Sequence, residues 1–511
     1  MSKHHSMAAL MARSYANHPT VTAYDDPSGR LTFAELQRQV CRLGNALKQL
    51  GLERGDRVAI WMENRPEFLE IEQATFLFGF VRTALAARLH VDEVADIVTD
   101  CSAKVVFAGT SDAKTLSQKL AGPDAPIVLA VGDDYQALVE SGPADPPANW
   151  PTEDDLAVLL YTSGTTGRPK GAALSNRNWL AMVTGVLAEL PPIGSGDVVL
   201  HAGPMSHLSG SIGTACAARG ATTTMLRRFN PGAVLKAVEH HHVTVLPLVP
   251  TMLAALTDEA ERGTFDLSSL RAIPYGGSAV SPALLTRARM VFGDVLVQLY
   301  GLSEALVPIT ALTPVAHRNA ERLASAGRPT PFVDVRILTD GGTPAVIGEP
   351  GEIQVRSDTV MVGYWEQPAA TAEIITDDGW LRTGDIGYRD ADGYLSIVDR
   401  KRDVIVSGGF TVYPAEVERV IQTLPQVDEV VVVGTPHDRW GETVTAVVTL
   451  RPGLHLTEAD VITTCRARLA DYKKPTSVLF VDTLPKNSTG KLLRREVRAP
   501  FWKHRTRPIG T

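Results

Sequence analysis

The run "LLYTSGTTGRPKGAAL", residues 159–174, gathers Gly, Ser and Thr around one lysine, Lys170. Backbone N–H groups and short hydroxyls in such a run can supply many donors to a phosphate tail without bulk. The Walker spacing G-x-x-x-x-G-K-[ST] is not met. Counting from Gly164, Pro169 stands where the second glycine should be, and Lys170 precedes Gly171 instead of a magnesium-binding hydroxyl. A plain solvent loop explains the glycines but not a lysine set between an apolar approach and an apolar exit. The run therefore reads as a nucleotide-phosphate loop, and not one of the Walker kinase or GTPase kind.

Such a loop needs strands and helices to hold it. Thr32-Phe-Ala-Glu35 reads as a capping box, followed by Leu36, Val40, Leu43, Leu47 and Leu50 at helical spacing and ended by Gly51. "GDRVAIWM", "AKVVFAG", "APIVLAVG", "DVVLHAG", "VTVLPLVP" and "VLVQLYG" read as strands, with "RNWLAMVTGVLAEL" a helix among them. Strands alternating with helices predict an α/β body with largely parallel sheets, whose ligands sit at the carboxyl ends of strands. The glycine-rich segments after "VLLYT", "AIPYGG" and "VQLYG" fall where that rule expects a site.

From about Gly351 the texture changes: "GEIQVRS", "GYLSIVD" and several D-G turns suggest antiparallel strands. Beyond Asp399-Arg-Lys-Arg-Asp403, a helix opening at Pro414, then "EVVVVG", "TVTAVVTL", a helix after Thr457 and "SVLFVD" suggest a small α+β domain. A charge run such as 399–403 is ordinarily a solvated face. Here it also marks the expected boundary, with a large domain at 1–399, a hinge at 400–403 and a small domain at 404–511.

A chain of 511 residues exceeds one compact core, and 44% hydrophobic and 21% charged residues describe an ordinary globular protein. The formal net charge of −7 argues against nonspecific nucleic-acid binding. Cys41, Cys101, Cys216 and Cys465 are widely spaced without a C-x-x-C, which suits a reduced, cytoplasmic protein and core positions for the thiols. No signal-peptide core is evident at the start. The apolar run from Phe76 to Leu89 is broken by Arg82 and Arg88, so no membrane span is expected. The run His240-His241-His242 reads as surface, because consecutive residues point in different directions. A homodimer is compatible with the sequence, though no pattern specifies it.

Taken together the motifs resemble the acyl-adenylate-forming (AMP-binding) superfamily, of the acyl-CoA synthetase type, from about Leu31 to Arg495. "YTSGTTGRPKG", "YGGSAVSP", "QLYGLSE", "LRTGD", "DRKRDVIVSGGFTVYPAEVE" and "PKNSTGK" occur in the family's order. The resemblance implies a large α/β N-terminal domain with a β-rich subdomain, and a small mobile C-terminal α+β domain. It implies a reaction of ATP with a carboxylic acid to give acyl-AMP and pyrophosphate, followed by transfer to the thiol of coenzyme A. An acyl-AMP ligase serving a carrier-protein pantetheine, and a noncatalytic nucleotide- or acyl-binding relative, are the alternatives.

Residue by residue, the resemblance assigns Thr162, Ser163, Gly164, Thr165, Thr166, Gly167 and Lys170 to the phosphates. Gly276, Gly277 and Ser278, with Gln298, Leu299, Tyr300, Gly301 and Ser303, would surround the adenine. Asp385 would bind the ribose and Arg400 the ribose or phosphates. Glu304, with Thr162, would hold Mg²⁺, which favours a carboxylate with phosphate oxygens. Lys491 would bridge the attacking carboxylate and the α-phosphate. Ser407, Gly408 and Gly409 would let pantetheine pass the backbone, and Arg402 would be the pivot. His207 would stand beside the substrate carboxylate, with Leu208, Ser209, Gly210, Gly301, Leu302, Ala305 and Leu306 lining the acyl pocket. Amino-acid-activating relatives carry Asp at the position of Leu208; an ammonium left uncompensated among apolar residues is costly. A fatty, alicyclic or aryl acid is expected instead.

Overall fold

The computed structural model describes residues 5–162, 170–407, 410–437, 440–486 and 492–503, with the side chains of Thr162 and Arg402 outside that description. Ser163, Gly164, Thr165, Thr166, Gly167, Gly408, Gly409 and Lys491 lie outside the described residues. The chain divides into two compact units, Met1–Val335 with Val355–Leu381, and Arg336–Gln354 with Arg382–Thr511. Residues 336–354 and 382–399 thus group with the C-terminal residues.

In the first unit a seven-stranded sheet runs in the order Gly363–Tyr364, Lys170–Ser175, Leu156–Thr162, Val81–Leu85, Arg57–Trp61, Val105–Ala108, Ile127–Ala130. The last five strands are parallel neighbours joined by helical crossovers, mostly buried apolar runs except for the partly exposed edge strand Ile127–Ala130. Leu156–Thr162 and Lys170–Ser175 pair antiparallel, so Thr162 stands opposite Lys170 across the mouth of the phosphate-loop segment. Two four-stranded sheets complete the unit. One places Thr222–Met225 between Thr22–Asp26 and Val198–His201, and the other pairs Ile273–Gly276 in parallel with Leu296–Tyr300.

The helix Phe33–Gln49 begins as its sequence dictates. Thr32 Oγ1 accepts from the Glu35 N–H (3.3 Å) and Glu35 Oε2 accepts from the Thr32 N–H (2.8 Å). Leu36, Val40, Leu43 and Leu47 are buried, whereas Leu50 is the helix cap and 40% exposed, with Gly51 turning away at φ +88°. The segment "VTVLPLVP" is not a strand. Val245 and Leu248 make only isolated bridges, as expected where Pro247 lacks the N–H a ladder needs.

The second unit carries the four-stranded sheet Asp334–Leu338, Gly351–Arg356, Leu381–Arg389, Leu395–Arg400. A further sheet is built on the long hairpin Val427–His437 and Gly441–Leu450, covered by the helices Pro414–Ile421 and Glu458–Arg468. Pro414 sits in the first turn of its helix, and Thr457 caps the other. All four cysteines are free and buried, and burial pushes the Cys41 and Cys465 thiols up to about 11 and the Cys101 thiol up to about 12. His240 and His241 lie in the last turn of the helix Pro231–His241, with His242 its left-handed cap. No helix among the described residues is long and apolar enough to cross a membrane.

Candidate active site

The site of the first unit is built at strand ends. Lys170 opens its strand, and its Nζ lies 5.0 Å from the centroid of the Tyr364 ring. Tyr364 donates its hydroxyl to Glu304 Oε1 at 2.8 Å. Burial first, and the Glu304 charge second, raise the phenol's pKa, so Tyr364 keeps its proton and acts as the donor. The loop after Leu296–Tyr300 is in turn fixed by the segment preceding Tyr364. Met361 donates its N–H to the Glu304 carbonyl (2.9 Å), and Leu306 donates to the Thr359 carbonyl (3.0 Å).

Gly276 and Leu299 face each other in register, and a Cβ at Gly276 would collide with the Leu299 carbonyl oxygen. Gly277 holds φ +90°, a conformation that favours glycine, and Gly277 and Ser278 are exposed. Tyr300 is buried at the end of its strand, and Gln298 accepts the Tyr275 hydroxyl at 3.3 Å. A bare, flat backbone edge next to an aromatic strand end is a surface suited to a planar ring. Gly301 is closely packed, since a Cβ there would meet Val307. Leu302 donates its N–H to the Ala305 carbonyl (2.8 Å), turning the chain so that Ala305 and Leu306 are buried with Ser303 half-exposed between the strand and Glu304.

The expected acyl segment meets the same region. Leu208 Cδ2 would lie 3.7 Å from a Cβ at Gly276. His207 Nδ1 is 2.7 Å from Ser206 Oγ. Its ring is solvent-exposed yet densely surrounded by protein, and desolvation first, with the Arg82 charge second, pushes its pKa down. Ser209 is buried and lies 2.8 Å from His201 Nδ1. Gly210 packs directly on the Met205 carbonyl, leaving no room for a Cβ.

In the second unit, Asp385 and Arg400 stand opposite each other in antiparallel register, with Arg400 Nε 2.6 Å from Asp385 Oδ1. The predicted ribose acceptor and its neighbouring cation are therefore one ion pair in this state. Asp399 and Asp403 are buried, which overturns the ordinary reading of 399–403 as a solvated face. Arg494 explains it, reaching Glu418 (2.6 Å), Asp399 (3.3 Å) and Asp403 (3.4 Å). Ser407 is half-buried opposite Phe410 and Gly441. The backbone of Arg402 lies in the turn Lys401–Asp403.

Three groups that sequence reading passed over organise the site. Asn64 donates its Nδ2 to the carbonyls of Gly203 (2.9 Å), Leu226 (3.1 Å) and His201 (3.3 Å) and accepts the Met205 N–H (2.9 Å), so one side chain shapes the chain leading to His207. Arg82, buried against Glu72 (2.8 Å), donates to the Met205 carbonyl at 3.3 Å. Tyr364 is the third. Their partners are distant in sequence, so no local spacing could have revealed them.

Among the described residues no group of three or more His, Cys, Asp or Glu is placed to hold a metal. Glu304 still fits magnesium. It is a half-exposed carboxylate whose Oε1 takes the Tyr364 hydroxyl, and no described residue donates to Oε2. A single carboxylate with phosphate oxygens and waters is a normal magnesium environment.

Residues 11–365 match the AMP-binding enzyme family and residues 416–491 the AMP-binding enzyme C-terminal domain. A feruloyl-CoA synthase of an Amycolatopsis species is 40% identical over 94% of this chain and 96% of its own. A fatty acid–[acyl-carrier-protein] ligase of Streptomyces coeruleorubidus is 35% identical over 99% of each chain. The structure of an amide bond synthetase from Marinactinospora thermotolerans superposes with a TM-score of 0.88 at 32% identity, covering 97% of this chain and 100% of that one. The chain belongs to the AMP-binding enzyme family of adenylate-forming enzymes, in its acid–thiol ligase branch.

Proposed function

We propose that the chain is an AMP-forming acyl-CoA synthetase that activates a fatty, alicyclic or aryl carboxylic acid. A carboxylate is a poor acyl donor because its leaving group would be oxide; coupling it to AMP creates a leaving group that a thiol can displace. The observation that carries the reading is the convergence of Lys170, Tyr364 and Glu304 beside the strand end at Tyr300, within a chain that matches the family over both of its parts.

In this reading the loop donors 162–167 and Lys170 grip the β- and γ-phosphates, and adenine lies between Tyr300 and the Gly276–Gly277–Ser278 backbone. Asp385 takes the ribose hydroxyls once Arg400 turns to the nucleotide. Lys491 draws the substrate carboxylate and the α-phosphate together as charge develops, a contribution of positioning and electrostatics without a covalent protein intermediate. Glu304 and Thr162 would hold magnesium, which neutralises charge on the departing pyrophosphate. Gly408 and Gly409 let the pantetheine arm approach the backbone, and the small domain turns about Arg402 between half-reactions.

Substrate class follows from the acyl segment. Leu208 offers partly exposed apolar surface while Ala305 and Leu306 are buried in the packing, and His207, kept neutral by its surroundings, offers a hydrogen bond without a charge. Such a lining favours an acid with an uncharged body. The buried free thiols suit a reducing, cytoplasmic setting. A second reading, transfer to a carrier-protein thiol, draws support from the carrier-protein ligase among the relatives.

The test is Mg-ATP-dependent pyrophosphate release across fatty, aryl and alicyclic acids, with CoA and with a pantetheinylated carrier protein as acceptors. Sustained turnover with one acid class and CoA supports the first reading. A burst relieved only by the carrier protein supports the second. Absence of acid-dependent pyrophosphate release across the panel would refute both for these acids.

A further inference from the structure

The short strand Gly363–Tyr364 has no assigned role, yet it touches both halves of the proposed phosphate site. On one side it extends the seven-stranded sheet, with Gly363 opposite Ala173, Tyr364 opposite Ala172, and the Trp365 N–H donating to the Gly171 carbonyl (2.8 Å). On the other, residues 359–361 bind the loop of Glu304 through the Met361 and Leu306 N–H groups and the bridge between Ala305 and Val360. The whole segment is tethered by Asn178, whose Nδ2 donates to the carbonyls of Asp358 and Val360 at 2.8 Å each. Tyr364 itself is fixed by its N–H on Thr371 Oγ1 (2.9 Å). Its side chain then makes two contacts of different chemistry: the hydroxyl on the Glu304 carboxylate and the ring face under the Lys170 ammonium.

We propose that Tyr364 is a positioning residue that presets Glu304 for a divalent cation and parks Lys170 until polyphosphate arrives. The inference rests on the nucleotide roles proposed above for Glu304 and Lys170. The hydroxyl occupies one carboxylate oxygen and fixes the plane of the other, as an outer partner of a metal ligand does. The ring holds the ammonium by a cation–π contact, which a phosphate tail outcompetes because it offers full negative charge. Hydroxyl and ring thus separate two functions that single substitutions can divide.

The test is equilibrium binding of ATP without any carboxylic acid, in Mg²⁺ and in EDTA, for the wild type, Tyr364→Phe and Tyr364→Leu, with thermal unfolding of each. Wild type is expected to bind ATP more tightly with Mg²⁺. Tyr364→Phe, which keeps the ring, should lose about tenfold of that Mg²⁺-dependent tightening while its affinity in EDTA is preserved. Tyr364→Leu should bind ATP more tightly in EDTA than Tyr364→Phe does, because the phosphates no longer compete with the ring for Lys170. A Tyr364→Phe variant with undiminished Mg²⁺ dependence would overturn the assignment while leaving the nucleotide site intact. Wild-type protein that binds no ATP, or binds it without regard to Mg²⁺, would overturn the roles of Lys170 and Glu304 and this inference with them.

Discussion

At the scale of single residues, the role proposed for His207 turns on its protonation state, which decides what it can offer an acid. An ordinary histidine titrates near pH 6.5, but desolvation, reinforced by Arg82, pushes this one lower and leaves it neutral at neutral pH. In the tautomer in which Ser206 donates to Nδ1, the ring proton sits on Nε2 and is available to a carboxylate. Replacing His207 by Ala, which has no donor, should therefore lower kcat/KM for the acid roughly tenfold, the value of about one hydrogen bond, and by the same factor from about pH 6 to about pH 8. A wild-type inflection near about pH 6.5 that vanishes in the variant would contradict this. The resemblance singled out His207 in "GPMSHLSGS"; its lowered pKa was not legible there, since Arg82 lies 125 positions away in sequence on a buried strand. Tyr364 was illegible for a similar reason, its partner Glu304 being 60 residues away.

At the scale of elements, local signals read true where the chemistry is local. The Thr32–Glu35 box, Pro414 at a helix start and Thr457 as a cap each act within one turn of backbone. They failed where a distant partner decides, as in the buried carboxylates of 399–403, whose cation, Arg494, arrives from a helix near the C-terminus. That clamp makes a prediction. Burial holds the Asp399 pKa up to about 6 against the pull of Arg494, so its folded value exceeds its unfolded one. Such a group favours the fold when protonated, and that contribution is lost as pH rises through about 6. Arg494→Leu should remove about 3 kcal/mol from the second unit at neutral pH, where three carboxylates lose their shared cation. The loss should shrink toward about pH 5, because Asp399 without Arg494 takes up its proton more readily. Denaturant unfolding of both proteins at the two pH values measures it, and an equal penalty at both would refute the account.

At the scale of the whole molecule, the chain carries the two parts that the AMP-binding family uses, and the proposed chemistry draws on both, with Lys491 at the end of the C-terminal match serving adenylation. If Lys491 serves adenylation alone, Lys491→Ala should slow acyl-AMP formation about 10²- to 10³-fold, the scale of losing one preorganised charge partner. Transfer from supplied acyl-AMP to CoA should stay close to wild type. Equal loss in both steps would instead tie Lys491 to folding or to domain movement. The most direct test of the central claim is a single-turnover chase with ATP labelled at the α-phosphate and an accepted acid. The account predicts acid-dependent accumulation of labelled acyl-AMP in the absence of thiol, discharged on adding CoA to acyl-CoA and labelled AMP. Label appearing in ADP, or an adenylate that forms without acid or ignores every thiol offered, would contradict it.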